Sequence, residues 1–244
     1  MTSVRLFSVA ALLCLSSHLA MAADKRVMVF GDSNSWGLAP VETVIPVTRY
    51  PKDVRWVGVM ANQLGSTYEV VNESLSGRTA ASDDPSFGIS GAGMNGLQYI
   101  SAALASHAPL DLVVIMLGTN DIKPAFTKSP LDISLDIMRI VSEVRKSTGI
   151  ATNYRPPKVL IVSPPPLGKV VDIDWWRKAF PDESVKKSRE LGTVLGKVSA
   201  AAGVPFFDAA RVGVMDGVDG VHMTVATHKA LGIAVASEVK KTLD

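Results

Sequence analysis

The chain has 244 residues, one cysteine and a formal net charge of +2, with 25 basic side chains against 23 acidic ones. That length suits one α/β domain with a full core, and so balanced a charge makes no electrostatic case for nucleic acid or an anionic membrane surface as partner. A single cysteine excludes an internal disulfide framework and a paired-cysteine metal site.

Residues 1–22 read as a secretory signal peptide, not as fold. Arg5 is the lone early charge, LFSVAALLCLSS is the apolar stretch, and AMA at 20–22 is a small-x-small cleavage site. The stretch is shorter than the ~20 residues that span a bilayer, which favours cleavage over an anchor. The bulky Leu13 before Cys14 speaks against a lipoprotein site. Cleavage removes Cys14 and Arg5, leaving residues 23–244 as one domain with 24 basic against 23 acidic residues and a net charge of +1. The expected location is the bacterial periplasm or the medium, with no stable membrane insertion after cleavage.

VMVF (27–30) is the first of five apolar runs that read as buried strands; the others are YEVVN (68–72), LVVIML (112–117), KVLIVS (158–163) and VPFFD (204–208). Unbroken Val/Ile/Leu runs suit strands covered on both faces, as in parallel sheets. GDSNSWG (31–37) follows the first strand. If a helix turn begins there, Ser33 sits at its N-terminus, where a free N–H and the helix dipole favour a developing anion. Alone, the segment reads equally well as a serine-rich helix cap. No Gly-x-Ser-x-Gly elbow occurs in the chain, which argues against an ordinary α/β-hydrolase.

DVRWVGVMANQL (53–64) has helical spacing. The stretches 37–52, 73–96 and 164–181 are too irregular for elements, and loops of such length in a compact domain are usually functional. The second of them holds all of NESLSGRT but its first residue, Asn72, and Gly77 there offers an unobstructed N–H; it also holds GAGMNG (91–96). GAGMNG fits the dinucleotide spacing but follows SDDPSFGIS instead of a strand, so no NAD or FAD is expected. NES (72–74) matches a glycosylation acceptor by chance. His107 ends a predicted helix beside Pro109 and is expected to cap it. GTND follows the third strand and aims the Asn120 amide at the same sheet edge. Ser129, Pro130 and Asp132 open a helix that is expected to close at Gly149. Trp175 and Trp176 wall a pocket or form an oligomer contact. Helices over 182–203 and 224–241 complete the set.

DGVDGVHMT (216–224) lies between the last strand and the last helix and carries His222 with Asp219 three residues before it. Asp216 is a second candidate acid, though its DG pair also reads as a plain turn. His228 falls inside the final helix and reads as a packing or capping residue. No metal is expected from this cluster, which lacks a His-Glu-x-x-His or cysteine pair.

Alternating strands and helices predict a three-layer α/β/α sandwich with a five-stranded parallel sheet of flavodoxin-like type, whose ligand site lies at the carboxyl ends of the strands. A serine nucleophile needs a base, the base an orienting acid, and the intermediate an oxyanion hole. Ser33, His222 with Asp219, and the donors Ser33 N–H, Gly77 N–H and Asn120 all fall at that edge.

GDS, Gly77 in SLSGRT, GTND and DGVH stand in the order of the conserved blocks of the SGNH hydrolases (GDSL esterases), which the chain resembles over residues 26–243. The resemblance implies Ser33 as nucleophile, Asp219 and His222 as triad partners, Ser33, Gly77 and Asn120 as oxyanion donors, and no cofactor. DVRWVGVMANQLG, APLDLVVIMLGTND, VSPPPL and DGVDGVH look like the arylesterase/acyltransferase (perhydrolase) branch. That branch implies short acyl esters as small-molecule substrates, acyl transfer to alcohols or peroxide, and a homo-oligomer. A carbohydrate O-acetylesterase, a lysophospholipase or thioesterase, and a non-catalytic binding protein are the competing readings. Trp36 is expected to shape the pocket rim. Asn34 departs from the Leu or Ile of many relatives.

Overall fold

The computed structural model describes residues 25–43, 47–87, 91–149 and 155–244, with only the backbone of Phe87. The signal peptide expected at 1–22 lies outside the described residues. The five strands are β1 (Lys25–Gly31), β2 (Tyr68–Ser74), β3 (Leu112–Met116), β4 (Lys158–Ser163) and β5 (Phe206–Asp208). All pair in parallel in the order β2-β1-β3-β4-β5, the expected flavodoxin-like sheet. Every residue of β3 is buried, as its unbroken apolar run requires, while the edge strand β2 is only half-buried. β5 begins after Pro205, whose carbonyl receives the Ile161 N–H but whose nitrogen has no proton to give.

The helices are α1 (Ser33–Trp36), α2 (Trp56–Leu64), α3 (Gly96–His107), α4 (Pro130–Lys146), α5 (Asp174–Ala179), α6 (Asp182–Ala201) and α7 (Val225–Leu243). α2 packs along α7, and α3, α4 and α6 lie side by side. With right-handed crossovers these pairs cover opposite faces of the sheet. The α2–α7 contact is close because Gly232 has no side chain; a Cβ there would come 2.6 Å from the Trp56 carbonyl. Among the described residues no helix is long and apolar enough to cross a membrane.

Two expectations are corrected. α4 has the predicted Ser129/Asp132 capping box but ends at Lys146, not at Gly149. Ser147 stops it: its N–H and hydroxyl both turn back to the Val144 carbonyl, and its ψ of 80° leaves the helical region. The stretch 164–181 is not wholly irregular, because DWWRKA forms α5. GAGMNG serves helix initiation: the Asn95 side chain accepts from the Leu97 and Gln98 N–H groups at the start of α3.

Candidate active site

Four strand-end segments meet at the carboxyl edge. α1 starts directly after β1, with the Asp32 side chain as N-cap accepting the Asn34 N–H at 2.9 Å. Gly37, in the left-handed region at φ 91°, ends the helix after one turn. Ser33 is thereby held at the first helical position, 6% exposed, and among the described residues nothing accepts its N–H. Asp32 is fully buried; desolvation pushes its carboxyl up to about 6, against the pull of the Asn34 N–H and of Thr119.

Ser33 Oγ lies 3.0 Å from His222 Nε2, and His222 Nδ1 lies 2.8 Å from Asp219 Oδ2. The Asp219 carboxylate is 0% exposed and accepts three backbone N–H groups: Val221 and His222 at 2.9 Å each, and Val41 at 3.2 Å. Burial alone would raise its pKa, but His222 and these donors outweigh burial and hold it below the usual carboxylate range. The loop keeps this shape through Gly220, at φ 72°, where a Cβ would lie 2.2 Å from the Lys169 carbonyl.

The alternatives face elsewhere. Asp216 accepts the Thr224 N–H at 2.9 Å and its hydroxyl at 2.6 Å, which caps the start of α7. His228 is fully buried, and its Nδ1 accepts the Trp56 N–H at 3.2 Å, capping α2. Desolvation, with the neighbouring His222 charge, drives its pKa down to about 4, so the ring is neutral. His107, expected to cap its own helix, instead sets Nε2 2.7 Å from Glu73 Oε2 on β2. A neighbouring carboxylate is a better partner for the ring than a solvated helix end. Among the described residues no three His, Cys, Asp or Glu side chains gather as metal ligands would.

Gly77 is buried at φ 86°, and among the described residues nothing accepts its N–H. Asn120, 5% exposed, donates one Nδ2 hydrogen to the Arg78 carbonyl at 3.1 Å and keeps the second. Ser33, Gly77, Asn120 and His222 line one cleft of about 330 Å³. Its other walls are mostly apolar: Trp36, Trp175, Trp176, Leu38, Leu75 and Phe180 among them. Arg49 stacks 4.4 Å from the Trp36 ring centroid. Trp176 is 4% exposed, donates from Nε1 to the Glu42 carbonyl at 3.1 Å, and sets its ring edge-on to His222 with centroids 5.8 Å apart. Trp175 is 43% exposed and meets Trp176 edge-on at the mouth.

Several residues around the site carry little signal in the sequence. Val41 lies in a stretch with no element, and its role is a backbone N–H, which carries no side-chain signature. Lys123, three residues beyond Asn120, lines the cleft and bonds Asp84 at 3.2 Å. Arg78 is almost fully buried beside Gly77; its one signal was a charged residue inside a short turn.

A serine hydroxyl bonded to an imidazole, itself bonded to a buried carboxylate, is equipped to attack a carbonyl. Free N–H groups beside it can receive the oxygen that becomes anionic. The family model of GDSL-like lipases/acylhydrolases matches residues 27–235. The aryl esterase of M. smegmatis in its native form is 46% identical, with a TM-score of 0.84 over 90% of this chain and 100% of that one. Est24, a carbohydrate acetylesterase from Sinorhizobium meliloti, is 40% identical, with a TM-score of 0.83 over 89% of this chain and 99% of that one. A carbohydrate acetylesterase family member from the same organism is 32% identical, with a TM-score of 0.82 over 90% and 99% of the two chains. No curated protein matches the chain.

Proposed function

Because the chain belongs to the GDSL-like lipase/acylhydrolase family, and is thus a carboxylic ester hydrolase, we propose that it cleaves short-chain acyl esters with Ser33 as nucleophile, His222 as base and Asp219 as orienting acid. What carries the reading is the unbroken chain Ser33 Oγ–His222 Nε2–Asp219, at 3.0 and 2.8 Å, facing an apolar cleft. His222 takes the Ser33 proton as Oγ attacks the ester carbonyl. Asp219 fixes the tautomer that leaves Nε2 free to accept, and its charge offsets the imidazolium that forms. The oxyanion is received by Ser33 N–H, Gly77 N–H and the second Asn120 Nδ2 hydrogen. His222 then protonates the leaving alkoxide, and an acyl-Ser33 remains. Water attacks it with His222 again as base. An alcohol or peroxide taking the place of that water gives acyl transfer, which the largely apolar walls favour by holding an organic acceptor against water.

A series of p-nitrophenyl esters of increasing acyl length, run with wild type and Ser33→Ala and with an alcohol present or absent, tests the reading. We expect the shortest acyl groups to turn over fastest, no turnover with Ser33→Ala, and an acyl-alcohol product. Undiminished turnover with Ser33→Ala would overturn it.

A second reading, a carbohydrate O-acetylesterase, is favoured by the exposed Trp175 at the mouth, since an indole face can stack on a sugar ring, and by the likeness to Est24. Acetylated sugars outperforming aryl acetates in kcat/KM would establish it. Residues 1–22 are proposed to be removed on export, leaving residues 23–244 as a periplasmic or secreted domain; the N-terminal sequence of the exported protein tests this. A homo-oligomer is proposed from the exposed apolar Val47 and Trp175 at the rim, and light scattering on the purified protein tests it.

A further inference from the structure

Three segments bring the three proposed anion donors together: the end of β1, the turn after β2 and the loop after β3. Arg78 touches all of them. Its N–H donates to the Leu75 carbonyl at 3.0 Å and closes a four-residue turn. Gly77 is the third residue of that turn, and its φ of 86° has the sign a type II turn requires. In such a turn the direction of the Gly77 N–H is set by the peptide between Ser76 and Gly77. Rotating that peptide over would point the N–H away from the cleft.

The Arg78 side chain ties the turn down. Its Nη1 donates to the Gly31 carbonyl at 3.3 Å, two residues before Ser33, and to the Glu73 carbonyl. Its Nη2 lies 3.6 Å from Glu73 Oε1. The guanidinium stacks 4.1 Å from the Phe30 ring centroid, with Tyr99 at 5.2 Å. The Arg78 carbonyl receives Asn120 Nδ2 at 3.1 Å, which fixes where the second amide hydrogen points. Two residues on, the Ala80 N–H is held by Asp121 Oδ1 at 2.9 Å.

Burying a guanidinium is costly, and an apolar side chain of similar volume would fill the space between Phe30 and Tyr99 more cheaply. It could not bond the carbonyls of two strand ends at once. Desolvation here is strong enough to bring the Arg78 pKa down to about 10, with the Glu73 charge opposing it.

We propose that Arg78 is the positioning residue of the anion site: its guanidinium clamps the ends of β1 and β2 and its carbonyl aims Asn120, so that Ser33 N–H, Gly77 N–H and Asn120 Nδ2 converge on one point. The inference rests on the reading of Ser33, Gly77 and Asn120 given above. Arg78 touches no reacting atom and acts through Gly77 and Asn120. Its loss therefore acts on kcat, and acts less once Asn120 is gone.

The test uses Arg78→Lys, Glu73→Gln and Asn120→Ala, singly and combined, with p-nitrophenyl acetate as substrate and thermal melting as the folding control. A lysine keeps the charge but loses the planar guanidinium: Nη2 beside Glu73 Oε1 and the stack on Phe30, which hold Nη1 against the two carbonyls, both go. Arg78→Lys is expected to lower kcat about 10–100-fold with KM held within about twofold, and to cost clearly less in the Asn120→Ala background. A raised KM with kcat held, or the same fold-loss in both backgrounds, overturns the proposal. If Arg78→Lys does not fold, Glu73→Gln carries the same comparison: a smaller kcat loss that shrinks beside Asn120→Ala supports the proposal, and an unchanged kcat overturns it. Turnover that survives Ser33→Ala would sink the nucleophile assignment instead, so the two failures are distinguishable.

Discussion

Asn34 donates from Nδ2 to the Val221 carbonyl at 3.2 Å, which ties the turn carrying Ser33 to the loop carrying His222. Both groups are buried, and the same nitrogen lies 3.8 Å from Met215 Sδ. A one-turn helix has little rigidity of its own, and this bond braces the turn of Ser33 against the loop of His222 from outside either residue.

Asn34→Leu leaves the buried Val221 carbonyl unpaired, a cost of about 1–3 kcal/mol. The expected outcome is a lower midpoint in urea and a reduced kcat, because the turn of Ser33 is no longer braced against the loop of His222. Full stability together with full kcat would show that the bond matters to neither.

Asp219 and Asp216 separate by role. Asp219→Asn lets the side chain present an amide to Nδ1 and favours the wrong imidazole tautomer; kcat should fall by about 10⁴-fold. Asp216→Ala removes the acceptor of the Thr224 N–H and hydroxyl, costing about 1 kcal/mol of stability, with kcat close to wild type. Kinetics and melting on the two purified variants give the comparison directly.

Asn120→Ala removes one proposed donor to the oxyanion. The barrier should rise by about 2.7–4 kcal/mol, seen as a fall in kcat of about 10²–10³. Near-normal turnover would take Asn120 out of that role.

The paired tryptophans should behave differently. Trp176→Ala removes a buried ring that packs beside Phe180 and His222, and about 3–5 kcal/mol of stability should go with it. Trp175, 43% exposed, can be cut to alanine with less change in melting than Trp176. Its loss should instead alter KM along a series of leaving groups, and an unchanged series would place the ring outside the substrate's reach.

His228 makes stability depend on pH in a stated direction. Its folded pKa of about 4 lies below the ordinary 6.5, so the unfolded chain takes up the proton more readily. Its contribution is complete above about pH 6.5 and is lost as pH falls towards 4, by about 2 kcal/mol between pH 7 and 5. Asp32 and Asp121, raised to about 6 by burial, act oppositely: each favours the folded state more as pH falls from about 6 towards 3.8. His228→Gln keeps an acceptor for the Trp56 N–H and removes the titration. Urea midpoints at pH 5 and 7 should then show stability at pH 5 rising relative to pH 7, compared with wild type.

Legibility followed locality. Continuous apolar runs marked β1, β3 and β4 within a few residues, because a strand buried on both faces has to be apolar nearly throughout; β2 and β5, at the sheet edges and only partly buried, were marked by shorter apolar runs. The capping box of α4 was readable because Ser129 and Asp132 act on each other within one turn. Its end was not, since Ser147 stops the helix by a bond that any serine could make or leave unmade. α5 has no signature in the sequence, because six residues with two tryptophans carry no helical period. His107 found Glu73, 34 residues away, and no local pattern announces such a partner.

Apolar periodicity and short motifs are local properties, and they sufficed to mark the sheet, the order of its strands' chemistry-bearing ends and the residue types gathered there. Sequence left Asp216 and Asp219 as rivals for one imidazole, marked Asn34 only as a departure from many relatives without giving it a partner, and said nothing of Val41 or Arg78. The tertiary structure decided these points, because each depends on the direction of a hydrogen bond between segments far apart in the chain. Asp219 reaches His222 because Gly220 lets the loop turn against Lys169. Asp216 is drawn to Thr224 instead. The donors near Ser33 share one cleft only because parallel strands end side by side, and the turn after β2 is anchored to its neighbours by a buried guanidinium.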